Sequence, residues 1–415
     1  MTHVFLALLL VFARAGAPVR TPDAWSDLAS AWEQAYARWA VEQQREQREF
    51  TGVVAPDLEF EPRFEALAES GDGRAVLWLL RHRQGEAEAR AAGRRKDLER
   101  VRAAGRAEWV ARALLELAAK PDDMDPAELA RLFETLAEPG GTPELRAAAE
   151  LALAGRVRAS DAARAGELCL RAAALATGRP EIAPGATLAA EDVSALAVAL
   201  LEYVDAQEGE WFERAFFDSG SEVYCERADS PRRPQEVWQP AINVLAERGA
   251  SRARLWMLFN VWPRDEEGKE RSRAYLDALS RETLSSKDLR QMGYRVASLG
   301  RVLGPEFVEP RIRAMIEHAA EDQRAGLLVG LGDALCASAS DETQRARGLA
   351  LLREVSTRWP GSDEAKRATG KLFRYENLVV GKRVPDFEAV DVDGNAFKLS
   401  DYEGKVTVVD FWGFW

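Results

Sequence analysis

The chain has 415 residues and a formal net charge of −12, with 56 Lys plus Arg against 68 Asp plus Glu. Hydrophobic residues make up 47%, enough to bury a sizeable core, and about three domains would be usual at this length. The acidic balance argues against a nucleic-acid protein, whose affinity would rest on a basic footprint.

In chain order, residues 4–13 form an apolar run followed by Ala13, Ala15, Gly16 and Ala17. The run is too short for a bilayer span of about 20 residues, and the small residues resemble a cleavage site. Residues 1–17 are therefore expected to be a signal peptide. The protein is expected to be exported, to the periplasm or cell envelope, although the n-region Met-Thr-His carries no Lys or Arg.

From Thr21 to about Asn377 almost everything reads as helix. Thr21-Pro22-Asp23 is a helix start. Trp25, Leu28, Trp32, Tyr36 and Trp39 recur at spacings of three and four, as a core stripe does. The arginine-rich stretch 80–112 has interspersed acids and reads as a solvated face with i,i+4 pairs. Loops are expected at 120–125, 138–142, 178–185, 228–234, 263–268 and 303–310. Asp125-Pro126-Ala127-Glu128 reads as a capping box, and Thr142-Pro143 as a second cap with proline at N1. The rhythm is that of stacked antiparallel helix pairs, a helical solenoid or bundle.

No phosphate loop, nucleophile elbow or H-E-x-x-H occurs. Cys169, Cys225 and Cys336 are widely spaced and read as buried side chains rather than metal ligands or a disulfide framework. With only His3, His82 and His318, a histidine-based centre has little material. No cofactor or metal is expected.

At the end of the helical region, Ala346, Leu349, Leu352 and Val355 share a face, Trp359-Pro360 ends the helix, and Ser362 starts another carrying Ala365, Ala368 and Leu372. This two-helix unit resembles one tetratricopeptide repeat. Surfaces of this kind bind a protein or peptide partner or simply space domains.

Beyond Val380 the period switches to two. Residues 387–392 and 396–399 read as strands around the Asp393-Gly394 turn, and Val406–Phe411 as a central strand. Gly381, Pro385-Asp386-Phe387, Asp391, Asp393-Gly394, Leu399-Ser400, Gly404-Lys405 and Val408-Val409-Asp410-Phe411-Trp412 fall in order. Together they resemble the opening of a redoxin domain of the TlpA type, the thioredoxin-like thiol–disulfide oxidoreductases overlapping the alkyl hydroperoxide reductase/thiol-specific antioxidant family. The fold expected is therefore mainly α: helices over 21–377, then residues 381–415 as the first piece of a truncated α/β thioredoxin-like domain.

The resemblance implies thiol exchange with protein dithiol and disulfide clients. In that family a Trp-Cys-x-x-Cys follows at a helix N-terminus, where the first thiolate is stabilised. Gly413-Phe414-Trp415 match the residues before that nucleophile. Asp410 corresponds to an aspartate that moves the resolving cysteine's proton, and Trp415 to the tryptophan beside the nucleophile. The CxxC itself is not among the 415 residues. The expectation is that selenocysteine stands next, its UGA codon read as a stop; the alternatives are a cysteine-to-stop change, a sequencing error or a deliberate truncation. A helical scaffold with an inert redoxin remnant is the alternative; peroxide reduction fits the Phe-Trp-x-x-Trp approach less well.

Overall fold

The computed structural model describes residues 23–45, 55–119, 124–179, 188–218 and 224–409. The expected leader, Asp410 and Trp415 lie outside the described residues. The chain is mainly α and divides into two compact units, 1–253 and 254–415.

The first unit contains α1 (Ala24–Arg45), α2 (Ala55–Glu69), α3 (Gly73–His82), α4 (Ala87–Ala104), α5 (Val110–Ala119), α6 (Pro126–Ala137), α7 (Pro143–Val157), α8 (Ala162–Ala176) and α9 (Ala190–Ala215). The antiparallel pair β1 (Phe216–Asp218) and β2 (Tyr224–Glu226) follows, then α10 (Pro234–Glu247). Each helix packs on its sequence neighbours or the next but one, as α3, α5 and α7 do in series.

The first part of the aromatic stripe of α1 is core, while Tyr36 and Trp39 are half-buried. Trp32 is fully buried and Trp25 and Leu28 nearly so. The ring of Trp32 meets Trp78 of α3 edge-on at 5.9 Å, and Phe64 of α2 stacks on Trp78 at 3.9 Å. Each such pair adds about 0.5–1.5 kcal/mol beyond the area it buries. The helix begins at Ala24, capped by Asp23, whose Oδ1 accepts from the Ser26 amide at 2.8 Å. The Thr142 cap stands as read, with Oγ1 accepting from Leu145 N at 3.2 Å. Asp125 likewise accepts from Ala127 N at 3.0 Å, while Glu128 turns to Arg102.

The arginine-rich stretch departs from its expected solvated face. Arg83 and Arg94 are buried. Arg83 binds Asp97 of α4 (2.6 Å) and Glu61 (2.8 Å) and Glu65 (2.5 Å) of α2, pairs between elements rather than along one helix. Gly93 makes room: a Cβ there would lie 2.7 Å from the Arg83 guanidinium carbon. Arg81 and Arg112 reach the carbonyls of Ser230 and Asp229, fastening the loop after β2. The β1–β2 pair itself interrupts a stretch that reads from sequence as helix.

Beyond α11 (Ser251–Asn260), the second unit contains α12 (Glu266–Leu279), α13 (Ser286–Leu303), α14 (Pro305–His318), α15 (Glu321–Ala337), α16 (Glu342–Arg358) and α17 (Asp363–Asn377). α15 is its centre, with Ala325–Leu331 buried without a break. It packs on α13 and α14 and on α16 and α17. Small residues permit the approach: a Cβ on Gly293 would lie 2.8 Å from the Gly326 backbone, and one on Gly348 2.8 Å from the Gly332 carbonyl oxygen. The α16–α17 hairpin matches its reading in most positions, but Ala346 is exposed and Leu372 half-buried. Leu349, Leu352, Val355, Ala365 and Ala368 are buried, and Ser362 Oγ caps Ala365 N at 3.0 Å. The expected loop at 303–310 is mostly α14. Gly304 (φ 89°) breaks the backbone, and Pro305 at the first helical position restarts it at once.

Candidate functional site

The C-terminal segment folds locally. β3 (Glu388–Val390) and β4 (Ala396–Lys398) pair antiparallel, with Ala389 opposite Phe397. Gly394 takes φ 87° in the turn, which a side chain would resist. Asp391 closes that turn, Oδ1 accepting from Asn395 N (2.8 Å) and Asp393 N (3.0 Å). Those bonds, that from Asn395 first, hold its carboxyl below the usual range.

Asp386 ties the segment's two ends together. Its Oδ2 accepts from the Ser400 hydroxyl (2.8 Å) and its Oδ1 from the Ser400 amide (2.9 Å), and both bonds lower its pKa. Asp401 caps the Lys398 amide at 2.8 Å, opening the short 3-10 turn Leu399–Tyr402. The motif residues Asp386, Asp391, Gly394 and Ser400 are thus the ones that shape this hairpin.

The expected strand at 406–411 is not formed over its described part. Val406 to Val409 make no ladder, and Val406 and Val408 are 99% and 87% exposed. A β-branched run becomes a strand only beside another strand, and β3 and β4 pair with each other alone. Asp410 and Trp415 follow outside the described residues, so their surroundings are not part of the site as described.

The three thiols are buried. Burial pushes Cys169 up to about 12 and Cys336 to about 11, and raises Cys225. A thiol held neutral is a poor nucleophile. Among the described residues no three His, Cys, Asp or Glu converge to hold a metal ion, and no helix is long and apolar enough to cross a membrane.

One polar cluster escapes sequence reading. Asp57, almost fully buried on α2, accepts from Trp32 Nε1 (2.9 Å) and Gln84 Nε2 (3.2 Å), and lies 3.3 Å from His82 Nδ1. His82 stacks on Trp78 with ring centres 4.9 Å apart. The only sequence signal was the i,i+4 pair Trp78 and His82; Trp32 and Asp57 come from other helices, and Gln84 from the loop just after α3. The cluster anchors an aromatic core.

Comparison with known proteins gives partial similarity. No family model matches the chain. Over 46 residues it is 35% identical to the thiol-disulfide oxidoreductase ResA of Bacillus thuringiensis subsp. konkukian, covering 11% of this chain and 27% of that protein. Over 38 residues it is 45% identical to the ResA of Geobacillus kaustophilus, covering 9% and 22%. The chain thus spans about a quarter of the length of the curated relatives it matches. No solved structure matches. A short part of the chain is similar to thiol-disulfide oxidoreductases.

Proposed function

We propose that residues 381–415 open a thioredoxin-like domain of an exported thiol–disulfide oxidoreductase, and that the helices before it present protein clients. What carries the reading is the ordered series of motifs from Gly381 to Trp412, supported by the ResA similarity and by the Asp386–Ser400 closure of the hairpin. The family's nucleophile aligns to the position after Trp415. Cysteine and selenocysteine both suit that place, and a selenol ionises more readily.

In this mechanism the nucleophile attacks a client disulfide and expels one client thiolate, forming a mixed disulfide. The second cysteine then attacks the nucleophile's sulfur or selenium, releasing the other client thiol. The client gains two electrons and the redoxin pair becomes oxidised. In this reading Asp410, six positions before the family's nucleophile, accepts the resolving cysteine's proton. Trp415 covers the nucleophile's flank. The clients are protein dithiols and disulfides of the cell envelope.

A scaffold with an inert redoxin remnant is the second reading, favoured by the buried, high-pKa state of all three thiols. The discriminating experiment reads the gene past the Trp415 codon, expresses the continued product, and compares its disulfide-reductase turnover with that of the 415-residue chain. Turnover confined to the continued product, and lost when the residue after Trp415 becomes serine, supports the oxidoreductase. Equal, background turnover in both supports the scaffold.

A further inference from the structure

α13, α15 and α17 run parallel in the second unit. Gly293 faces Gly326 and Gly300 faces Ala334 across α13 and α15. Asp333 of α15 receives Lys371 (2.5 Å) and the Tyr375 hydroxyl (2.6 Å) of α17. Tyr294 of α13 stands 58% exposed. The Arg367 guanidinium of α17 lies 4.0 Å from its ring centre, joining two helices that each pack on α15.

Helical periodicity extends this contact into a strip. Arg290 lies one turn before Tyr294 and Arg301 two turns after it; Arg374 lies two turns after Arg367. Arg290, Arg301 and Arg374 are exposed. On α17 Asp363 holds Lys366 at 2.8 Å and Glu376 holds Arg353, and Asp333 of α15 holds Lys371; Glu364, three residues before Arg367, forms no ion pair among the described residues. Among the described residues none of Arg290, Arg301, Arg367 and Arg374 has an acidic partner within ion-pair distance. A chain of net charge −12 therefore presents a local positive strip with an exposed ring in its middle.

We propose that this strip docks an acidic peptide segment of a partner protein. Stacking on Tyr294 fixes the plane of Arg367 and leaves its N–H edges free for bidentate pairing with a carboxylate. Arg290 and Arg374 receive further carboxylates along the two helices, and an apolar side chain between them covers the open face of Tyr294. A short peptide carries a few charges close to the strip, whereas a nucleic acid brings a dense polyanion toward an acidic protein. The inference is independent of the redoxin reading, because no residue beyond α17 enters it.

The test uses the whole 415-residue chain and a fluorescein-labelled octapeptide of alternating Glu and Leu, read by anisotropy in 150 mM salt, near physiological ionic strength. Saturable binding is expected, weakened about tenfold or more by R290E/R367E and severalfold by Y294A, with the isosteric Gln–Leu peptide bound at least tenfold more weakly. Circular dichroism checks that the variants are folded, and R367Q replaces the double variant if it is not. Absent binding, equal binding of the Gln–Leu peptide, unchanged affinity in the variants, or equally tight binding of an oligothymidylate of the same charge would each overturn the proposal.

Discussion

Arg83 and Asp97 form a two-point ion pair inside the first unit, with Nε–Oδ2 at 2.6 Å and Nη2–Oδ1 at 3.0 Å, and Asp97 has no solvent exposure. The guanidinium also binds Glu61 and Glu65, so a single side chain from the end of α3 joins α2 to α4. Removing it leaves Asp97 with Arg100 alone (2.8 Å). Arg83→Ala is expected to lower stability by about 3 kcal/mol, the scale for breaking a buried pair. Arg102→Ala, which breaks a half-exposed pair with Glu128, should cost under about 1 kcal/mol. Urea unfolding of both variants checks the contrast.

The same cluster sets an acid limit. Burial alone would raise Glu65, but hydrogen bonds from Arg100, Arg83 and Lys96 outweigh it and hold the carboxyl near about 2. A depressed folded pKa contributes stability above the unfolded value, about 4.3, which is lost as pH falls toward 2. Glu65→Gln should therefore lose stability relative to the parent at pH 7 and converge with it toward pH 2. Equal differences in melting temperature at pH 6 and pH 3 would count against this account.

Glycine positions give opposite signs. A Cβ on Gly330 would sit 2.4 Å from the Gly293 carbonyl oxygen, so Gly330→Ala forces α13 and α15 apart, at about 1–3 kcal/mol. Gly370 is exposed within α17 and a Cβ meets nothing within 4 Å, so Gly370→Ala should stabilise by about 0.5–1 kcal/mol. Thermal melts read both.

The thiols should be silent in the native protein. Cys169, Cys225 and Cys336 are buried and their pKa values are raised. An aromatic disulfide reagent at pH 8 is expected to label none of them within minutes and all three after denaturation. Rapid labelling of any one in the folded chain would contradict the burial.

Local signals were the legible part of this molecule. Thr142 and Ser362 cap helices because a hydroxyl two or three residues before an apolar stripe satisfies amides that the helix leaves open. Trp25, Leu28 and Trp32 of the α1 stripe are core because their spacing turns them together toward the neighbouring helices. Arg83 misled because its partners lie 14 to 22 residues away on two other helices, so no i,i+4 pattern announces them. Pro305 and Pro310 read as a loop, yet Pro305 stands at N1, where it costs a helix nothing, and α14 carries Pro310 inside it at the loss of one backbone hydrogen bond. At the C-terminal segment, Asp393-Gly394 announced its hairpin, whereas Val406–Val409 carry the composition of a strand and lack the neighbour that would make them one.

Asp333 acquires a particular importance from the glycines around it. Helix sides made of Gly293, Gly326, Gly330, Gly332 and Gly348 allow close approach, but flat surfaces have no knobs to fix how far one helix is shifted along another. These glycines line the contacts of α15 with α13 and α16; Asp333 supplies a latch to the other neighbour of α15, gripping Lys371 and Tyr375 a turn apart on α17. With the latch cut, as in Asp333→Ala, the helices would keep their hydrophobic contacts yet lose their alignment. The ring of Tyr294 and the guanidinium of Arg367, which meet from separate helices, would then slide out of step while the unit stayed helical.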